Sequence, residues 1–265
     1  QPVIPLFWIA GEDHDFLEVD HTYLLTKENR IERIRLPLEA EERTPISYRE
    51  LEPNILEAYV EEFFDALLQT EFTSDLKQSC LKMAADSTNL TQFFARLLVH
   101  FFGSHGLILL DSAFPPLREV EIPLFTRIIE ENEEVQAAFR AGSEAMKHLG
   151  YPCQIETMEQ NGHLFYIEGN ERELLTHEGG VWKGKHGTLE WTTSALRRLL
   201  LEDPTRFSNN VVTRPLMQEW LFPTLAFVAG PGEVAYWAML KELFQWLGSP
   251  MPPVVPRFSG TVLEG

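Results

Sequence analysis

The residues best suited to chemistry stand near the start of the chain, in Phe7-Trp8-Ile9-Ala10-Gly11-Glu12-Asp13-His14-Asp15-Phe16, which runs on to Asp20-His21-Thr22. An apolar stretch from Val3 to Ala10 breaks at Gly11, and five carboxylates and two histidines follow within eleven residues. Histidine changes charge near neutral pH, so His14 and His21 could act as acid and base or as metal ligands. Asp13, His14, Asp15 and His21 together could serve a metal-dependent hydrolase. Glu18-Val19-Asp20-His21 also fits the Glu-x-x-His of carboxylate-bridged metal sites, where i and i+3 share a helical face. Those sites need a second copy, which the sequence lacks, and it carries neither HExxH nor a Cys/His zinc pattern, so no metal is expected. The bland alternative is a solvated acidic turn.

Two further stretches could hold an anion. In Ala229-Gly230-Pro231-Gly232-Glu233 a glycine turn opens a helix, where backbone N–H groups can face a negative charge. A tight structural turn explains that stretch equally well. In Arg206-Phe207-Ser208-Asn209-Asn210-Val211-Val212-Thr213-Arg214-Pro215 polar side chains crowd before a helix. Arg214 has the planar fork that suits a carboxylate or phosphate. The competing reading is a loop whose Asn, Ser and Thr satisfy backbone groups. A non-catalytic segment that binds a small anion therefore stays open beside an enzyme.

Residues of this kind need elements to aim them, and the composition allows a large core. The 265 residues are 44% hydrophobic and 23% charged, as in a globular protein. A net charge of −18 argues against a nucleic-acid surface, which needs clustered Lys and Arg. No apolar run is long enough for a membrane span, and no signal peptide is visible. Cys80 and Cys153 share no motif spacing; they read as buried packing residues of a protein in a reducing compartment, the cytoplasm.

Val3–Ala10 reads as a buried strand, and 25–50 as a polar loop or insertion. Ile55, Tyr59, Phe63 and Leu67 recur at helical spacing, so 54–69 is predicted to be an amphipathic helix. A second helix covers 75–85. Asn89 caps a third, with a wide apolar face of Phe93, Phe94, Leu97, Leu98, Phe101 and Phe102. Residues 107–111 form a strand and 121–149 the longest helical stretch. Short antiparallel strands then lie at 164–167, 174–176 and 181–182, separated by Gly-Asn and Gly-Gly turns. Thr192 or Thr193 caps a helix over 194–202, and Pro215 starts another that ends before Pro223. Residues 224–229 are a strand, Gly230–Glu233 opens a helix to about Leu247, and 253–256 is a last strand. Strands with helices between them suggest a parallel sheet with insertions.

Phe7–Phe16, Gly106–Ser112, Phe207–Glu219, Pro223–Trp237 and Met251–Arg257 together closely resemble the cysteine ligases of bacillithiol biosynthesis, the BshC family, in the same order along the whole chain. The resemblance implies an α/β fold: a Rossmann-like, nucleotidyltransferase-type parallel sheet core with inserted helical and small antiparallel connecting segments. Its core would comprise 1–24, 103–120 and 206–265, with a mainly helical insertion at 25–102 and a second, helix plus antiparallel strands, at 121–205. It implies addition of cysteine to glucosaminyl-malate as an amide, with carboxylate activation and ATP as the expected nucleotide. The His-x-Gly-His and Lys-Met-Ser-Lys-Ser signatures of related synthetases are not found. The family's glycine-rich N-terminal stretch would precede Gln1 and its coiled coil, used in homodimerisation, would follow Gly265, so this segment alone is expected to be inactive. His14 and Asp15 are the expected catalytic pair. Trp8, Gly11, Asn210, Arg214, Gly230, Gly232 and Glu233 are expected to bind substrate or nucleotide.

Overall fold

The apolar run at the start of the chain folds as β1 (Leu6–Ile9) and pairs in parallel with β4 (Ile108–Asp111), Leu6 opposite Ile108 and Ile9 opposite Asp111. These come from a computed structural model that describes residues 3–38, 43–52, 54–155, 159–184 and 189–261. It divides into two compact units, Gln1–Leu117 with Ile167–Arg172, and Arg118–Tyr166 with Glu173–Gly265.

In the first unit β1 is shorter and less buried than its composition suggests, with Leu6 and Phe7 exposed, because β1 and β4 form a sheet of two strands only. The stretch 25–50, expected to be a polar loop or insertion, instead carries β3 (Ile31–Arg35), which pairs with β2 (His21–Leu25) as a hairpin. Asn29 supplies the positive φ of 55° that turns the chain, and Leu24 and Ile34 point inward while Tyr23, Leu25 and Ile31 face out. Three helices follow: α1 (Ile55–Ala66), α2 (Thr73–Ala85) and α3 (Leu90–Phe102). Asn89 caps α3 by accepting from Gln92 N at 2.8 Å. The buried stripe of α1 is Leu56, Val60 and Phe64, one residue on from the predicted one, and it packs with Phe16, Leu36, Cys80, Ala84 and Phe93. On α3, Phe94, Phe101 and Phe102 are exposed, so its apolar face is narrower than the sequence suggests.

The second unit takes most of α4 (Pro115–Glu130), then α5 (Asn132–His148). The predicted long helix over 121–149 is thus two helices meeting at Glu131, whose φ of −107° and ψ of 31° leave the helical region. The small antiparallel element is the largest sheet, in the order β8-β7-β6-β5-β9. Its strands are β5 (Asn161–Glu168), β6 (Glu171–Glu178), β7 (Val181–Gly184), β8 (Glu190–Thr192) and β9 (Phe207–Asn209). Thr192 caps α6 (Thr193–Glu202) by accepting from Ala195 N at 3.2 Å, and Pro215 sits in the first turn of α7 (Arg214–Leu221). β10 (Phe227–Ala229) pairs in parallel with β11 (Val254–Pro256). The four core strands of the sequence reading therefore occur as two parallel pairs, one in each unit.

The helix predicted from Gly230 to Leu247 is broken into α8 (Pro231–Trp237) and α9 (Lys241–Leu247). Met239 N and Leu240 N bond back three residues, to Tyr236 O and Trp237 O, and both side chains are buried between the helices and the core. That tight turn presents Met239 O to α5, where a Cβ on Gly142 would lie 1.9 Å from it. The contact belongs to one apolar core that includes Phe125, Ile129, Phe139, Leu164, Trp182, Leu216, Trp237 and Phe244. Arg127 closes the far end of α9 by donating to Trp246 O at 2.6 Å and Leu247 O at 3.0 Å, carbonyls a helix end leaves unpaired. Overpacking of this kind costs roughly 1–3 kcal/mol or more. Gly142→Ala should therefore lower the urea midpoint of the second unit by at least that equivalent, whereas the same change at Gly232, with nothing within 4 Å, should cost much less.

Candidate functional site

Gly11, where β1 ends, admits no side chain: a Cβ would lie 1.9 Å from Ser47 Oγ and 2.2 Å from Asp111 Oδ1. Ser47 N donates to Gly11 O at 3.0 Å, and Ser47 Oγ donates to Asp111 Oδ2 at 2.7 Å. Glu12 N donates to Ser112 Oγ at 3.1 Å, so the chain leaving β1 is tied to the chain leaving β4. Residues at the carboxyl ends of parallel strands are where α/β proteins hold ligands. Glu12, Asp111 and Ser112 all lie here.

His14 follows at once. Its backbone N donates to Asp13 Oδ1 at 2.7 Å, and its ring Nδ1 lies 2.8 Å from Arg172 Nη1. Arg172, near the tip of the β5–β6 hairpin and inside the first unit, is 4% exposed and also stands 3.5 Å from Asp13 Oδ1. Asp15 Oδ1 is 3.9 Å from His14 Nε2. Burial and then the Arg172 guanidinium hold the His14 ring below the ordinary 6.5; Asp15 and Asp13 oppose this and Arg43 adds to it. His14 and Asp15 are thus brought together with Gly11. The indole Nε1 of Trp8 is buried without a hydrogen-bond partner.

His21 goes elsewhere. Its Nδ1 is 2.7 Å from Asp20 Oδ1, and Arg35 Nε bonds the other oxygen of this fully buried carboxylate. Burial works against ionising Asp20, but the bonds from His21 and Arg35 outweigh it and keep the carboxyl below its usual range. Glu18 lies in a short 3-10 turn and His21 in β2, so they do not share a helical face. Among the described residues no three His, Cys, Asp or Glu side chains gather to hold a metal ion.

The remaining predicted site residues lie in the second unit. Asn210 is built into its own loop: Oδ1 accepts from Val212 N at 2.9 Å and Thr213 N at 3.0 Å, and Nδ2 is 3.3 Å from His163 Nδ1. Arg214, at the start of α7, donates from Nη2 to Tyr236 Oη at 3.0 Å. At the β10 end, Gly230 N donates to Glu233 Oε2 at 2.8 Å, so this carboxylate already takes up the turn's first donor. Arg257 follows β11, with its N bonded to Ala229 O at 2.7 Å, and its guanidinium would lie 3.5 Å from a Cβ on Gly230.

Sequence reasoning missed Arg172, Ser47 and His163. No spacing could link Arg172 to a histidine 158 residues away. Arg257 stood within a matching stretch, and its place beside Gly230 was signalled by the Pro253–Pro256 strand before it.

A chain with this α/β make-up and these strand ends is matched over residues 1–258 by the family model described as bacillithiol biosynthesis BshC, N-terminal Rossmann-like domain, and it belongs to that family. Relatives from two strains of Bacillus cereus are 42% and 43% identical over 262 residues, and one from Bacillus cytotoxicus is 42% identical. Each is named "Putative cysteine ligase BshC". The match takes in 99% of this chain and 48% of each relative, so the chain spans about half their length. No helix among the described residues is long and apolar enough to cross a membrane.

His163, which holds Asn210, gives a test of the second unit. It is fully buried at a positive φ of 59°, and burial with the nearby Arg140 depresses its pKa to about 3. The unfolded ring takes a proton near 6.5 and the folded ring does not, so stability is complete above that value and falls as pH drops toward 3. The fall attributable to His163 should approach about 1.4 kcal/mol per pH unit. Urea unfolding at pH 7 and pH 5 should show a shallower loss in His163→Asn, a residue that tolerates this φ. An unchanged slope would contradict it.

Proposed function

We propose that the full-length protein joins cysteine to glucosaminyl-malate through an amide bond. The observation that carries this reading is the family match through 1–258, together with 42–43% identity over 99% of the chain to relatives named as cysteine ligases. The geometry is compatible with it: each parallel pair ends in residues suited to binding anions and moving protons.

The amine of the glucosaminyl group attacks the carboxyl carbon of cysteine, and a carboxylate oxygen must leave. ATP is the proposed source of the phosphorus that makes it a leaving group. On that reading His14 and Asp15, fixed beside Gly11, orient the reacting carboxyl and receive the amine's proton, with the Trp8 indole N–H as a further donor. Arg214 takes a malyl carboxylate or a phosphate, in a loop that Asn210 keeps rigid. The Gly230–Gly232 turn suits a phosphate through Arg257 rather than Gly230 N–H, which Glu233 already holds. The division into a nucleotidyltransferase-type core over 1–24, 103–120 and 206–265 with two inserted segments is part of the proposal. So are a cytoplasmic location, a homodimer and the need for the remainder of the protein.

Full-length protein incubated with cysteine, glucosaminyl-malate and ATP should yield the cysteinyl product by mass spectrometry, and none when ATP is omitted. Hydrolysed glucosaminyl-malate with no amide product would contradict the proposal.

A further inference from the structure

The Arg172 guanidinium against the His14 imidazole bears on what the ring can do. A guanidinium has five N–H donors, no acceptor, and stays charged, so a ring nitrogen 2.8 Å from Arg172 Nη1 must present a lone pair. That nitrogen is Nδ1. A neutral imidazole carries its one proton on the other nitrogen, Nε2. The arrangement is built rather than casual: Arg172 is buried, and its backbone N donates to Arg43 O at 3.0 Å. The ring's own backbone is tied to Asp13. Asp15 Oδ1, 3.9 Å from Nε2, favours a proton there, and Asp13 Oδ1, 3.8 Å from Nδ1, favours one on the other nitrogen. It is the closer Arg172 contact, at 2.8 Å, that decides.

We infer that Arg172 is a positioning residue that keeps His14 in the Nε2–H tautomer, so that the ring donates a hydrogen bond to a carboxyl oxygen of substrate instead of accepting the amine's proton. The substrate rests on the ligase reading; the tautomer rests on the geometry alone. Around the ring, burial, Arg172 and Arg43 resist a second proton, and Asp13 and Asp15 favour one. A base at Nδ1 would have to take its proton against the guanidinium already bonded to it. The amine's proton then falls to Asp15, the other half of the pair.

The test compares His14→Gln, His14→Asn, Arg172→Lys and Arg172→Gln in the full-length protein, by turnover and by NMR of 15N-histidine-labelled samples. A Gln amide N–H stands where Nε2–H stands, and an Asn amide stands near Nδ1. His14→Gln should therefore lose far less turnover than His14→Asn, whose loss should be on the order of the 100-fold that follows deletion of one catalytic donor. The labelled wild type should show Nε2 protonated and Nδ1 not. In Arg172→Gln the ring should titrate at higher pH, and Arg172→Lys, which keeps the charge, should restore much of the wild-type titration. Equal losses in His14→Gln and His14→Asn would overturn the donor role. A wild-type ring protonated at Nδ1 would overturn the inference whatever the activity. Should the wild type make no amide at all, the ligase reading fails while the NMR result still decides the tautomer.

Discussion

The close approach at Gly11 is the constraint on which the first unit depends. Strand β1 can stop beside Asp111 only because residue 11 has no Cβ, and any side chain there would overlap Ser47 and Asp111. Bonds from Ser47 to Gly11 and Asp111, and from Glu12 to Ser112, then convert the approach into a fixed corner. Asn89, the cap of α3, donates from Nδ2 to Ser47 O at 2.9 Å, so the same corner holds a helix. His14, three residues on, inherits that rigidity. A side chain that must meet a reacting group within a fraction of an ångström gains most from such support.

Electrostatics works against an acidic background. With 40 Asp and Glu against 22 Lys and Arg, each buried cation or carboxylate has to be placed. Asp20 is stabilised by His21 and Arg35, while Arg118 and Glu121 pair at 2.6 Å, both fully buried, on the first turns of α4. Buried pairs of this kind are weak evidence for stability, since desolvation offsets attraction, yet removing one partner is costly. Arg172 belongs to the same class, with the difference that its partner is a titratable ring. At the second parallel pair the balance is again local, with Glu233 and Arg257 flanking one glycine.

Local signals were legible in the sequence and long-range pairings were not. Asn89, Thr192 and Pro215 marked helix starts because capping chemistry acts over three residues. Glycine turns at Gly169 and at Gly179-Gly180 marked the hairpins through their positive φ. The β2–β3 hairpin escaped because its turn uses Asn29 within a charged stretch and one face lies open to water. β9 escaped because Phe207–Asn209 pairs with Leu164–Tyr166, forty residues earlier, and looks like a polar loop by itself. For the site, the sequence placed His14, Asp15 and Gly11 together through adjacency. It could not bring Arg172, Ser47 or Asp111 to them, since tertiary folding alone makes those contacts.

The reaction proposed for the protein containing this chain activates a carboxylate and passes it to an amine. Cysteine carrying 18O in both carboxylate oxygens tests that most directly, with full-length protein, glucosaminyl-malate and ATP. One labelled oxygen should appear in the phosphorus-containing product of ATP, at one equivalent per amide formed. Amide formation with the departing labelled oxygen released as water, and none in the product of ATP, would contradict it.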